Sequence, residues 1–391
     1  MLESVLFSAF WVAVIFVFYT YLGYAILVWL LVKMKGKRAD NLEIPESLYP
    51  PITHLVAAYN EADIIEDKIN NSTQLEYPQD KLKTYFVTDG SSDETVDIVS
   101  SHPEVKLFHS QERKGKINAV NRVMKLVDTP IVVFSDANTL LNNQALKNIA
   151  RHYQDKSVGG VAGEKIILKK SADNAAGAGE GLYWKYESFL KRKDSELNSI
   201  VGAAGELFSV RTELFIEPPS TIIIEDFYIS LLIASKGYRF VYEPEATATE
   251  TASASVQEEW KRKVRICAGG FQAMGKLLFL LNPFRYGALS FQYISHRVLR
   301  WTLAPLSLLI ILITSIALSL MNIKFFQLIL ILQILFYGLA FLGRQMQSKE
   351  IKIKGFFVPY YFTVMNLSVY AGFLRFIKGQ QSVIWEKAKR A

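Results

Sequence analysis

Hydrophobic positions along the 391-residue chain fall into two regimes. Near the ends lie four uncharged apolar runs, Ser4–Val32, Trp301–Ile323, Phe325–Gly343 and Gly355–Leu374, of 29, 23, 19 and 20 residues. A helix needs roughly 20 such residues to cross about 30 Å of hydrocarbon, so each run is long enough to span a bilayer. The first is too long for a signal-peptide core and has no small-residue cleavage site after it. The last contains Pro359 and Asn366 and reads either as a span or as a re-entrant or interfacial helix.

Between them, from about Pro50 to Ala268, apolar bursts are short and rich in β-branched and aromatic residues: "THLVAAY", "KTYFVTD", "PIVVFSD" and "GYRFVYE". Amphipathic stretches, Glu61–Ser72, Asp93–Ser101 and Gly115–Val127, separate them. Buried strands alternating with helices predict an α/β domain with a mostly parallel sheet. Ligands of such sheets bind at the carboxyl ends of the strands. Ser171–Gly181, rich in Ala and Gly, reads as a mobile loop.

Basic residues orient the spans. Lys33, Lys35, Lys37 and Arg38 follow the first run, and Arg285, Arg297 and Arg300 precede the second, which predicts a cytoplasmic central segment. The predicted order is an N-terminal transmembrane helix over 1–38, a catalytic domain over 50–270 and an interfacial amphipathic region over 271–300. Two or three transmembrane helices over 301–377 and a basic tail over 378–391 complete it. The expected location is the plasma (inner) membrane, multi-pass.

Composition agrees: 50% of residues are hydrophobic and 21% charged, below the quarter or so typical of soluble domains. The net charge of +7 suits lipid headgroups, nucleotide phosphates or nucleic acid. Because the basic residues cluster beside apolar runs, nucleic acid is disfavoured. A single cysteine, Cys267, excludes an intrachain disulfide framework. Spans almost without charge argue against a transporter.

Three strand ends carry polar groups in succession: Tyr59, Asn60 and Glu61; Asp89 and Asp93; Asp136 and Asn138. Singly, each is an ordinary turn or cap residue. Together they suit a site that grips a ribose, a base edge and a divalent cation. Asp136 and Asn138, two oxygen ligands one residue apart, could hold Mg²⁺ or Mn²⁺ that takes the rest of its shell from substrate phosphates. Arg113, Lys114 and Lys116 flank Gly115 before a helical pattern, a natural phosphate seat, although neither a P-loop nor a dinucleotide fingerprint is present. Glu225 and Asp226 stand before a helix, either as caps or as a general base. On the later helix Arg262 and Arg265 share a face and could clamp a diphosphate, with Trp260 beside them. A basic helix before a membrane run also fits plain headgroup attraction.

In this order, "YNE", "DGSSD", "KGK" with "NAVN", "DAN", "GAAGELFSVR" and "EDF" followed by a basic helix, the set resembles glycosyltransferase family 2, in its inverting, membrane-bound polysaccharide-synthase branch. The resemblance covers about Thr53 to Trp301. It implies a GT-A nucleotide-sugar-binding fold, with Tyr59, Glu61, Asp89 and Lys116 on the nucleotide, Asp136 and Asn138 on a Mg²⁺ or Mn²⁺ ion, and Asp226 as the base. Gly205, Glu206 and Glu225 would lie on the acceptor side, and Lys114, Lys116 and Arg265 beside the departing diphosphate. Two positions depart from the pattern. Asn138 replaces an acid, and the QxxRW stretch of processive synthases reads Arg262, Lys263, Val264, Arg265, Ile266, which puts processivity in question. The implied activity is transfer of a sugar, from a UDP-sugar first of all, to a saccharide acceptor during polysaccharide synthesis. The alternatives are one transfer to a lipid-linked acceptor and an inactive nucleotide-binding scaffold of a polymer exporter. The implied partners are the nucleotide sugar, the acceptor and the bilayer, with no nucleic acid; the sequence names no protein partner.

Overall fold

The computed structural model describes residues 1–36, 44–168, 175–251, 253, 255–348 and 354–380. The end of the basic tail, 381–391, and Lys37, Arg38, Lys349 and Lys352 lie outside them.

The four bursts are strands: β1 (Ile52–Ala58), β2 (Leu82–Asp89) and β4 (Ile131–Asp136), with β8 (Arg239–Thr251) far later in the chain. Four further strands join them, β3 (Lys106–Ser110), β5 (Leu140–Leu141), β6 (Val158–Leu168) and β7 (Leu207–Arg211). They form one sheet in the order β3-β2-β1-β4-β7-β6-β8-β5. β1, β2, β3 and β4 run parallel, β7 is antiparallel to β4 and β6, β6 and β8 are parallel, and β5 is antiparallel to β8. Parallel pairing aligns the strand ends: Ala57 stands opposite both Val87 and Asp136. Tyr59, Asp89 and Asp136 therefore emerge along one edge.

Both faces are covered, as a largely parallel sheet requires. On one face Leu55, Val87, Phe134 and Phe208 pack with Ile117 and Val120 of the helix Lys116–Met124 and with Ile229 and Ile233 of the helix Glu225–Ser235. On the other, Ile52, Val133 and Val161 meet Leu146 and Ile149. Each such side chain removed from water contributes about 1.5–3 kcal/mol.

Ala175–Leu197 is a helix, so the loop expected over Ser171–Gly181 is corrected for its described residues, 175–181. Gly177, Gly179 and Gly181 cost about 1 kcal/mol each in a helix. The later turns are held by burial of Leu190 and by the ion pairs of Glu187 and Asp194.

Three helices are long and apolar enough to cross a membrane: Leu2–Lys35, with a π-helical turn at Tyr19–Gly23, Leu303–Leu320 and Lys324–Met346. The fourth apolar run lies in Lys354–Ile377, which does not meet that standard over its described residues. It packs along the helix Val256–Lys276: a Cβ on Gly372 would lie 2.5 Å from Cys267 Cβ, and Phe271 stacks at 6.2 Å on Phe376.

Candidate active site

At the end of β1, Asn60 adopts φ +51°, and its side chain ties this turn to the one after β2 by accepting from Ser92 N at 2.8 Å. Asp93 braces the same junction, receiving the N–H groups of Ala62 and Thr95. Asp93 thus serves as a turn residue. Tyr59 lies beneath the Arg113 guanidinium, 3.8 Å from the ring centre. Buried Glu61 takes a backbone bond from its N–H to Thr95 Oγ1 at 2.8 Å. Asp89 accepts the N–H groups of Lys114 and Gly115, which fixes the start of the following helix. Gly115 sits at φ +92°, a conformation open to glycine at little cost. Ala57, Ala58, Tyr59, Val87, Asp89, Arg113, Gly115, Lys116 and Ala119 line one pocket over these strand ends.

Lys116 is the hinge of the charge arrangement. Its ammonium donates to Asp136 Oδ1 at 2.7 Å and pairs with Glu225 Oε1 at 2.9 Å. Burial opposes its charge, yet the two carboxylates hold its proton more tightly than in a free lysine. A Cβ on Gly205 would lie 3.5 Å from Lys116 Nζ and 3.6 Å from Asp226 Oδ2, so Gly205 lies against both charged groups. Asp226 is the second residue of the helix Glu225–Ser235, in its first turn, where burial and neighbouring Glu225 push its carboxyl up to about 7 against the pull of Lys116. A half-buried carboxyl poised there is a proton acceptor at neutral pH.

Glu206 is held differently. Burial raises its carboxyl, but its ion pair with Lys165 outweighs this and holds it below the usual range. Lys165 also pairs with Glu250 of β8. Arg265, half-buried, shares its electrostatic field with Glu225, Asp136 and Asp226. Arg262 does not join it, because its guanidinium grips Glu259 at 2.8 and 3.0 Å. Lys114 is turned to Glu112 on the surface, with 65% of its side chain exposed, so its backbone rather than its ammonium serves the site.

Among the described residues no group of three or more His, Cys, Asp or Glu side chains could hold a metal by itself. Asp136 and half-buried Asn138 offer one carboxylate and one amide oxygen beyond β4. That donor set fits a hard cation completing its shell from phosphate and water.

Residues 53–217 match the model of "Glycosyl transferase family 2". This stretch resembles a family 2 glycosyltransferase domain. Poly-beta-1,6-N-acetyl-D-glucosamine synthases are similar to this chain. The Staphylococcus aureus (strain MSSA476) protein is 28% identical over 233 residues, 57% of this chain and 55% of its own. The Staphylococcus epidermidis (strain ATCC 35984) protein is 26% identical over 234 residues, with the same coverage. The chain thus spans about half the length of the curated relatives it matches. The fold is similar to that of a Pyrobaculum calidifontis mannosyltransferase solved with GDP-Man and Mn²⁺: TM-score 0.73, 20% identity, covering 97% of this chain and all of that one. The chain therefore has the expected GT-A fold, together with three helices long and apolar enough to cross a membrane.

Four residues of the site's surroundings had no signal in the sequence. Lys165, Trp184 and Lys191 sit in segments without a motif, and Trp301 read as the start of an apolar run. Trp301 packs at 5.6 Å on Phe227, beside Asp226, and occupies the space that a side chain at Gly270 would fill. Only the fold brings these positions to the Asp226 edge of the sheet.

Proposed function

We propose that this glycosyltransferase moves a sugar from a nucleoside diphosphate to a hydroxyl acceptor with inversion at the cytoplasmic face of the membrane. Asp226 is the base. The observation that carries this reading is the half-buried Asp226 carboxyl, pushed up to about 7, at the sheet edge beside Gly205 and Lys116. The acceptor oxygen attacks the anomeric carbon, its proton passes to an Asp226 oxygen, and the carbon–oxygen bond to the diphosphate breaks. Its electron pair leaves with the diphosphate. Tyr59, Glu61 and Asp89 shape the nucleoside pocket, while Lys116 and Arg265 provide positive charge near the leaving group. A divalent cation on Asp136 and Asn138 would neutralise part of the diphosphate charge when bound. Glu206 and Glu225 act by holding Lys165 and Lys116 in place.

The catalytic unit is taken as 50–270, joined by 271–300 to the apolar helices, in a multi-pass inner-membrane arrangement. UDP-sugars are the first donors to test, on the likeness to the poly-N-acetylglucosamine synthases, for a role in polysaccharide synthesis. GDP-mannose is the second, because the mannosyltransferase of similar fold was solved with it. Single transfer to a lipid-linked acceptor is the second reading, favoured by Ile266 where the processive motif has tryptophan. Full-length protein in nanodiscs, given UDP-, GDP- and TDP-sugars with Mg²⁺ or Mn²⁺, tests all of this when nucleotide release and product size are followed together. A ladder supports polymer synthesis and one added sugar the second reading. No release from any donor would remove the transferase function.

A further inference from the structure

One face of the helix Ala175–Leu197 carries Trp184, Glu187, Lys191 and Asp194, spaced three or four residues apart so that they lie in one stripe. Its acids are matched. Glu187 pairs with Arg297 through Oε1 and with Arg300 at 3.0 Å through Oε2, and Asp194 accepts from His296 at 2.6 Å and from Tyr24. Its lysine is not. Lys191 is 3% exposed, yet among the described residues it makes no hydrogen bond and no ion pair. The Trp184 ring lies 5.7 Å from its ammonium. Trp184 Nε1 is likewise a buried donor without an acceptor. Two further ammoniums meet the same ring, Lys165 at 4.6 Å and Lys263 at 5.7 Å, each paired with an acid.

A buried ammonium without a hydrogen-bonded or ion-paired acid is destabilising, so one compensated only at longer range marks a place where an anion fits. Burial weakens the hold of Lys191 on its proton, while Glu187, Glu206 and Asp226 favour the charge, which puts it within electrostatic reach of the candidate base. The stripe also lies along the first apolar helix. Tyr186 donates to Tyr21 O at 2.7 Å, and Lys35 donates to Leu197 O. At 1.5 Å per residue the 34 residues of Leu2–Lys35 extend about 50 Å, well beyond a hydrocarbon core of about 30 Å. Its basic end therefore reaches headgroup level.

We propose that Lys191 Nζ and Trp184 Nε1 form the seat of an acceptor phosphate, on a membrane lipid whose headgroup also presents a free sugar hydroxyl to Asp226. This rests on the transferase reading of Asp226. The phosphate does not react: the hydroxyl oxygen bonds to the anomeric carbon, the proton goes to Asp226, and the diphosphate leaves with the bonding pair.

The test is a binding measurement on full-length detergent-solubilised protein by native mass spectrometry, with no nucleotide sugar present. The probes are a polyprenyl phosphate-linked glucose, the neutral glucosyl diacylglycerol and soluble glucose phosphate. The polyprenyl phosphate-linked glucose should bind at least about tenfold more tightly than the neutral glycolipid, the effect of one charge-assisted contact. Lys191→Met should bring it down to the neutral level, Lys191→Arg should retain most of it, and Trp184→Phe should cost less. Lys191→Met should also raise the melting temperature of ligand-free protein, since it removes a buried ammonium that no hydrogen bond or ion pair among the described residues holds. Equal binding of the neutral glycolipid, soluble phosphate binding as tightly as the lipid, or a folded Lys191→Met protein with unchanged binding would each overturn the proposal. So would a lowered melting temperature, the mark of a structural lysine. Because no donor is present, failure of sugar transfer would count against the base at Asp226 and leave this result readable.

Discussion

Two charge clusters, one on the helix Ala175–Leu197 and one at the sheet edge, are built on opposite principles. Toward the membrane helices, Glu187 and Asp194 are fully engaged by Arg297, Arg300, His296, Gln292 and Tyr24. Burial would raise Glu187, but Arg297 and His296 keep it well below the ordinary carboxylate range. Toward the sheet edge, Asp226 stands next to Glu225, and burial with that neighbour outweighs the pull of Lys116, so its carboxyl rises to about 7. A satisfied cluster holds elements together. A frustrated one keeps a group ready to change its protonation.

The largest expected effect separates the two. Asp226→Asn should lower transfer by about 10²- to 10⁴-fold in a steady-state assay. It should at the same time raise the melting temperature at neutral pH. The sign follows from the raised carboxyl: Asp226 favours the fold while protonated, and that advantage is lost as pH rises from near 4 to about 7. The stabilisation by asparagine should accordingly vanish near pH 4.

Glu187→Gln should do the reverse. It leaves Arg297 and Arg300 buried without their carboxylate, a change that costs about 3–5 kcal/mol in denaturant unfolding. The depressed Glu187 stabilises the fold above the ordinary carboxylate range, and acid removes this as it protonates. A Glu187→Gln protein as stable as the parent would erase the distinction drawn between the clusters.

A smaller change sharpens the sheet-edge side. Asn138→Asp adds a carboxylate beside Asp136 and should lower the Mg²⁺ or Mn²⁺ concentration for half-maximal transfer on the order of tenfold. Smallest of all, Lys114→Ala should leave KM for the donor nearly unchanged, because its ammonium sits on the surface with Glu112. A large rise in KM would return Lys114 to the diphosphate.

Much of the sheet edge was legible in the sequence, because strand ends in a parallel sheet inherit their alignment from the register. Asp89, Asp136, Lys116 and Asp226 converge as the motif order predicts. Lys114 did not follow, since Asp89 takes the backbone of its turn and leaves the side chain pointing elsewhere. Arg262 shares a helix face with Arg265, yet a glutamate one turn away claims it. The Glu187–Asp194 stripe was hidden for a different reason. Its partners come from Tyr24 and Arg297, more than a hundred residues away, so no local pattern announces them. The antiparallel β7 inserted between β4 and β6 was equally silent, because its pairing depends on distant strands.

The central claim is that Asp226 is the base, and the pH dependence of kcat/KM tests it most directly. The account predicts an acid limb near pH 7 in the parent protein, with activity falling about tenfold per pH unit below it, and no such limb in the residual activity of Asp226→Asn. A limb that persists unchanged in the variant, or full activity of the variant with every donor the parent uses, would contradict it.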